Sequence, residues 1–238
     1  MTVDACIVVQ DGNNSENNHR KAGKRHLVIA VDGPAASGKG TLARNIAKYY
    51  GVNYLDTGRL YRAVAFKVMD MGIDSDNIPV DIAAKIAAEL QPEDINNPYL
   101  THETVGNMAS IVSAIPEVRS ALFAYQRQFA DLPGGAVLDG RDIGTVICPS
   151  ADCKLFITAS LQARAKRRFK ELREKGLDVT YEGVLADLEN RDLRDSRRKV
   201  SPLIAASDAI CIDTTELDVE TVFNKVIDVI NAKVASSR

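Results

Sequence analysis

His26-Leu-Val-Ile-Ala-Val-Asp-Gly-Pro-Ala-Ala-Ser-Gly-Lys-Gly-Thr41 is the stretch on which the fold turns. An apolar run suited to a buried strand stops at a glycine-rich turn, and a lysine stands where the next helix should begin. Gly33 and Gly38 reach backbone angles closed to residues with a Cβ, so N–H groups between Gly33 and Gly40 can converge on one anion. A helix beginning near Lys39 adds its open amides and the positive end of its dipole, and the Lys39 ammonium reaches β- and γ-phosphates. Gly33, Pro34, Ala35, Ala36, Ser37, Gly38, Lys39, Gly40 and Thr41 are thereby predicted to seat a nucleoside triphosphate.

The spacing follows the Walker A pattern with one departure: the hydroxyl that normally follows the lysine is displaced by Gly40 to Thr41. Thr41 is the candidate metal ligand, directly or through water. Outward from this loop, Thr41 to Tyr50 reads as a helix stopped by Gly51, Val52 to Leu55 as a short strand, and Arg59 to Met71 as a helix closed by Gly72. Val80 to Leu90 reads as a further helix, and Gln91 to Glu103, with two prolines, as a loop. Pro116 opens a helix to about Asp131, and Leu132-Pro-Gly-Gly135 separates it from the strand Ala136-Val-Leu138, which ends at Asp139. Lys154 to Thr158 and Ala209 to Ile212 read as buried strands. Val219, Val222, Phe223, Val226, Ile227 and Ile230 form a helical stripe behind a cap at Asp218. Strands alternating with helices predict a mostly parallel α/β sheet covered on both faces, with ligands beyond the carboxyl ends of its strands.

The 238 residues, 45% hydrophobic and 26% charged, are ample for a packed core and exclude a disordered or fibrous chain. A net charge of −2 argues against a surface that binds nucleic acid throughout. Yet Leu161 to Lys199 holds 12 basic and 8 acidic residues, so an anion is received in one region. Cys6, Cys148, Cys153 and Cys211 have neither CxxC spacing nor a histidine cluster, which disfavours zinc and a disulfide framework and suits a reducing cytoplasm. No run approaches the roughly 18 apolar residues of a membrane span. Residues 1–25 read as a mobile tail without the features of a secretory signal.

Four places are dense in arginine and aspartate: Asp56-Thr-Gly-Arg-Leu-Tyr-Arg62, Asp139-Gly-Arg-Asp142, Arg164 to Arg168, and Arg191-Asp-Leu-Arg-Asp-Ser-Arg-Arg198. Arginine's planar fork holds phosphate oxygens by two parallel bonds. Surface ion pairing is the bland alternative for each cluster. A helix over Thr180 to Lys199 would set Arg191, Arg194 and Arg198 on one stripe, either as a self-paired solvated helix or as a closing lid that brings cations onto transferring charge. Leu161, Ala165, Phe169 and Leu172 are expected to face inward, leaving Arg164, Arg167 and Arg168 at the exposed edge. His19, His26 and His102 are scattered and read as non-catalytic.

Taken in order, Asp32-Gly-Pro-x-x-x-Gly-Lys-Gly-Thr41, Asp56-Thr-Gly-x-x-Tyr-Arg62, Asp139-Gly-Arg-Asp-x-Gly-Thr145 and Arg191-Asp-x-Arg-Asp-x-x-Arg198 resemble bacterial-type cytidylate kinases, which are P-loop nucleoside monophosphate kinases; the likeness runs from Val28 to about Val234. It implies a parallel-sheet kinase core over 26–238, a helical monophosphate-binding region over about 57–131 with a shortened insertion, and an arginine-rich lid over about 176–199. It implies transfer of the ATP γ-phosphoryl group to CMP and dCMP with Mg2+, in pyrimidine nucleotide metabolism, by a cytoplasmic monomer acting on small molecules. By similarity Lys39, Arg141, Arg194 and Arg198 are catalytic and Arg167 binds ATP. Thr57 contacts the acceptor, whose phosphate Arg62, Arg141 and Arg198 hold. Ser110, Arg119 and Asp142 read cytosine, and Asp195 with Arg191 meets the ribose. Two rivals stay open: a P-loop kinase with another acceptor, such as shikimate, and a nucleotide-binding module whose basic 161–199 region docks RNA.

Overall fold

Five short strands form the centre: β1 (Leu27–Asp32), β2 (Asn53–Asp56), β3 (Gly135–Gly140), β4 (Cys153–Thr158) and β5 (Ile210–Asp213). The computed structural model describes residues 26–236, so the tail expected over 1–25 lies outside the described residues. The strands pair in the order β2-β3-β1-β4-β5, and every pairing is parallel. β1 and β3 are almost wholly buried, as their unbroken apolar runs require when both faces are covered. Register sets Asp32 beside Gly140 and Asp56 beside Asp139, so aspartates from three strands gather at one carboxyl edge.

Helix α1 (Lys39–Tyr50) runs straight from the glycine-rich turn and stops at Gly51, whose φ of 64° supplies the left-handed cap. Its Leu42 and Ile46 pack on one sheet face with Val226 and Ile230 of α9 (Val219–Ser236), whose first turn is capped by the Asp218 carboxylate accepting from the Thr221 amide at 2.8 Å. Ala30, Ala136 and Leu138 on the opposite face pack against Phe129 and Ala130. Those two residues close α6 (Pro116–Ala130), which starts at the proline as expected.

A second apolar cluster joins α2 (Thr57–Asp70), α3 (Val80–Ala88) and α6 through Leu60, Val64, Ala83, Ala87 and Leu122. The segment read as a loop, Gln91 to Glu103, is instead largely helical: α4 (Pro92–Asn96) and a 3₁₀ turn over Pro98–Thr101. The prolines sit in first turns rather than breaking helices, Gln91 and Asp94 form a capping box, and the Asn97 side chain caps the Tyr99 amide. Ile95 and Leu100 then anchor both turns in the core. Helix α5 (Glu103–Val112) follows and buries Val105, Met108 and Val112.

Beyond β4, helices α7 (Leu161–Glu174) and α8 (Tyr181–Arg197) form an antiparallel pair whose small core of Ala165, Leu172, Val184 and Leu188 rests on Ala35 of the glycine-rich turn. α8 ends one residue before Arg198, which is extended with ψ of 140°. The expected three-arginine helical stripe therefore keeps only Arg191 and Arg194 within the helix, and Arg198 stands just past its end.

Candidate active site

The turn after β1 is shaped by two glycines for different reasons. A Cβ on Gly33 would lie 2.0 Å from the Ile157 carbonyl oxygen, so the loop rests on β4 as closely as hydrogen alone permits. Gly38 has open space around it but a φ of 86°, a backbone requirement. Ala36, with φ of 59°, also occupies the left-handed region, unusual for a residue with a side chain.

Lys39 is buried, with Nζ 3.5 Å from the Pro34 carbonyl oxygen and 3.8 Å from Asp139 Oδ1. Burial draws both groups toward neutrality, Lys39 downward and Asp139 upward, and their mutual attraction opposes this. An anion seated on the turn would favour the charged form of Lys39. Asp139 Oδ1 has no hydrogen-bond partner among the described residues. A Cβ at position 40 would sit 3.0 Å from Asp139 Oδ2. A side chain directly after the lysine would press on the Asp139 carboxylate, which would have to give by a few tenths of an ångström to admit it. No cluster of histidine, cysteine or acidic residues among those described forms a metal cage. A lone buried carboxylate oxygen beside a phosphate seat nevertheless suits Mg2+, which keeps most of its waters and leans on one or two carboxylates plus substrate oxygens.

A cleft of about 480 Å³ opens over this loop, lined by Ala36, Lys39 and Thr41 on one side and by Arg62, Arg141 and Arg191 on the other. Arg62 donates to the carbonyls of Leu100 at 2.8 Å and His102 at 3.3 Å, and lies so close to Gly106 that a Cβ there would come within 2.9 Å of it. Beside the cleft a smaller hollow of about 50 Å³ is lined by Thr57, Ser110, Arg119, Asp142, Asp195 and Arg198; Arg141 and Arg191 border both spaces.

Ion pairs fill this hollow. Arg119 bonds Asp142, both under a tenth exposed, and lies over the Tyr61 ring at 5.5 Å. Arg141 Nε donates to Asp195 Oδ2 at 2.9 Å. Burial would raise Asp195, but Arg141 and Arg191 hold it below the usual carboxylate range. Arg194 lines neither space, and its Nε donates to Ser110 Oγ at 3.1 Å. Thr57 donates to the Asp139 carbonyl oxygen, bracing two strand ends. Arg191 Nε and Arg198 Nη2 are buried without hydrogen-bond partners among the described residues; Arg198 Nη2 lies 3.9 Å from Asp142 Oδ1. Burial, and then the neighbouring Arg141, push Arg191 down to about 10. Two buried guanidinium N–H groups without acceptors are costly unless an anion's oxygens complete them.

Three features escaped the sequence reading. Asp32 accepts from the amides of Ile143 and Gly144 at 2.8 and 2.7 Å, tying β1 to a π-helical turn (Ile143–Ile147) behind Asp142. Arg164, placed by its spacing on the exposed edge of α7, is only 5% exposed, because its guanidinium is claimed by backbone carbonyls and by Asp192. Arg167 and Arg168 are half-buried. A third hollow of about 360 Å³, mostly apolar, lies between Leu42, Ile157, Leu217 and Val222, with Arg167 at its rim donating to Thr214 Oγ1 at 2.9 Å. Thr214 directly follows β5, and the carboxyl end of a strand was the available signal.

Comparison with known proteins identifies the family. The cytidylate kinase family model matches residues 29–232. The chain belongs to the cytidylate kinase family. A cytidylate kinase of Methylocella silvestris is 52% identical over 206 residues, 87% of this chain and 94% of that protein. One from Paramagnetospirillum magneticum is 50% identical over 211 residues, 87% of this chain and 98% of that protein. A solved structure of an uncharacterized protein from Eubacterium ventriosum superposes with a TM-score of 0.52 at 16% identity, over 87% of this chain and 99% of that one, which shows a shared fold. Membership makes the chain a nucleoside monophosphate kinase by family, and the parallel sheet with helices on both faces is the α/β core its sequence predicts.

Proposed function

We propose that this cytidylate kinase family member transfers the γ-phosphoryl group of ATP to CMP and dCMP, giving ADP and the diphosphate, in pyrimidine nucleotide metabolism. The observation that carries the reading is the pair of adjoining spaces that share Arg141 and Arg191, one floored by the phosphate loop and the other by Ser110, Arg119 and Asp142. The donor's phosphates lie on the loop amides from Gly33 to Gly40 and on Lys39, and its base enters the apolar hollow beneath Arg167 and Thr214. Thr41 and Asp139 are the residues that would hold Mg2+, which neutralises charge on the donor's oxygens when bound.

The acceptor's phosphate lies on Arg62, Arg141 and Arg198, and Asp195 with Arg191 meets its sugar. Asp142 accepts from the exocyclic amino group of cytosine; uracil presents an acceptor there and would leave the buried carboxylate unpaired. The phosphate oxygen that attacks is already ionised near neutral pH, its second pKa being about 6. No protein base is required, and the rate comes from alignment and from guanidinium groups placed where charge moves. Arg194, held by Ser110 outside both spaces, reaches the transferring group when helices α7 and α8 close as a lid. The helices from α2 to α6 form the acceptor-binding region.

The enzyme acts on small molecules rather than nucleic acid, as a cytoplasmic monomer. Internal pairing supports this, since Arg164, Arg168 and Arg173 of the basic region already face carboxylates. No described helix is long and apolar enough to cross a membrane. A coupled ADP-release assay across CMP, dCMP, UMP, AMP and shikimate tests the reading: turnover should concentrate on the two cytidine nucleotides, and a preference for any of the other three refutes it.

A further inference from the structure

We propose that Arg164 and Asp192, which no step above uses, are positioning residues that set how the phosphate loop and the arginine-bearing helix α8 sit relative to one another in the ligand-free enzyme, before α7 and α8 close. Only the kinetic part of this inference rests on the phosphoryl-transfer reading. Arg164 spends its donors on two elements at once. Nε donates to the Ala159 carbonyl oxygen at 3.0 Å, Nη1 to the Ala35 carbonyl oxygen at 3.2 Å and to Asp192 Oδ1 at 3.1 Å, and Nη2 to Asp192 Oδ2.

The contact with Ala35 bears on the donor. In a trans peptide the carbonyl and the following N–H point in opposite directions, so capturing the Ala35 oxygen turns the Ala36 N–H away from Arg164. Ala35 and Ala36 line the phosphate cleft, and Arg164 stands outside it. The left-handed φ of 59° at Ala36 is the backbone cost of that orientation, and Arg164 is the group that holds it. One guanidinium thus keeps an amide of the anion seat aimed at the anion.

The contact with Asp192 bears on the acceptor. Successive residues of a helix differ by about 100° around its axis, so a two-point grip on Asp192 sets the rotation of α8 and the direction of its neighbours. Those neighbours are Arg191, at the border of both spaces, and Asp195, which orients Arg141. Because the Arg164 side chain is only 6% exposed and that of Asp192 27%, the pair is shielded from salt and geometrically demanding. A displacement of the loop is passed to α8 through a rigid fork instead of through solvent.

Two variants separate the halves. R164K keeps the charge but a lysine cannot span Ala35, Ala159 and Asp192 together, and calorimetry with ADP alone should show binding weakened about tenfold. D192N keeps shape and removes charge; ADP affinity should stay within about twofold, kcat with ATP and CMP should fall about tenfold or more, and KM for CMP should rise, as expected for misalignment on the scale of an ångström. Amide exchange along α8 of ligand-free D192N should speed up between Arg191 and Arg197, a readout that needs no turnover. The two substitutions should be non-additive in kcat when combined. Wild-type ADP affinity in R164K overturns the donor half. Unchanged α8 exchange, or unchanged kcat and KM in folded D192N, overturns the acceptor half. If the native enzyme ignores CMP, the functional reading fails by itself, while ADP calorimetry and amide exchange still decide this one.

Discussion

Replacing Arg119 by methionine separates what the acceptor hollow does for stability from what it does for recognition. Arg119 and Asp142 are 7% and 6% exposed at their side chains, so removing the cation strands a carboxylate in the interior. Breaking such a buried pair costs about 3–5 kcal/mol. Arg198, with Nη2 3.9 Å from Asp142 Oδ1, supplies a second cation and brings the cost to the lower end, about 3 kcal/mol. In a domain of this size that is a fall in melting temperature of about 6–12 °C. Methionine keeps comparable bulk beside Tyr61 but loses the cation over its ring, which adds at most about 1 kcal/mol.

The companion variant R119M/D142L removes both charges, and apolar replacement of a buried pair is neutral or stabilising. Urea unfolding should show the single variant destabilised and the double restored to within about 1 kcal/mol of wild type. The coupled assay should show kcat/KM for CMP reduced in both, because each lacks Arg119, one of the groups proposed to read cytosine. A single variant that loses under about 1 kcal/mol, or a double that regains CMP turnover along with stability, refutes the reasoning.

Arg198→Ala should lower kcat by about 10³ with little change in KM for ATP, since an arginine facing the moving charge is worth that much; near-normal turnover strips Arg198 of its role. Gly33→Ala pushes a Cβ to 2.0 Å from the Ile157 carbonyl oxygen, so the loop must lift by more than an ångström; ADP affinity by calorimetry should drop by about 100-fold, and retained affinity rejects the close-contact argument. Burial pushes Asp32 up to about 7, against the opposing Gly144 and Ile143 amides. The folded state therefore binds this proton more tightly than the unfolded chain, so the associated stability is full below the unfolded pKa and is lost as pH rises through 7. Relative to D32N, the unfolding free energy of the wild type should fall by roughly 2–4 kcal/mol between pH 4 and pH 8; a pH-independent difference contradicts it.

The elements that could be read in advance are those whose signals are local. The strand before Gly33, the left-handed stop at Gly51 and the stripe of α9 each follow from a few neighbouring residues, and each stands within a residue or two of where the pattern puts it. The Pro92–Thr101 turns were missed because proline and asparagine were weighed as breakers, whereas here they start helices and cap them. Arg164 was misplaced for a different reason. Helical periodicity assigns a face from apolar neighbours, and an arginine with carbonyl acceptors on another element can be buried on any face. The role of Gly40 depends on Asp139, about a hundred residues away in sequence, and no local pattern carries that contact. Motif order locates the Arg119–Asp142 and Arg141–Asp195 residues but not their pairing, which the parallel register and the π-helical turn impose.

These pairings also bear on how a site so rich in guanidinium groups can exist before substrate arrives. Four of the arginines proposed to meet the acceptor already have an internal partner: Arg62 has carbonyls, Arg119 has Asp142, Arg141 has Asp195 and Arg198 has the Ser201 carbonyl oxygen. An incoming mononucleotide therefore exchanges one set of partners for another, and its affinity is the difference between the two sets. The groups without a hydrogen bond among the described residues, Arg191 Nε and Arg198 Nη2, give up least when an oxygen arrives, Arg198 Nη2 only its 3.9 Å approach to Asp142 Oδ1. Arg191 borders both spaces, while Arg198 lines the smaller one alone. Donors that bind little in the resting protein and fully in the transition state are those that lower the barrier, and under the proposed reaction the cost of leaving these two unpaired would be recovered there.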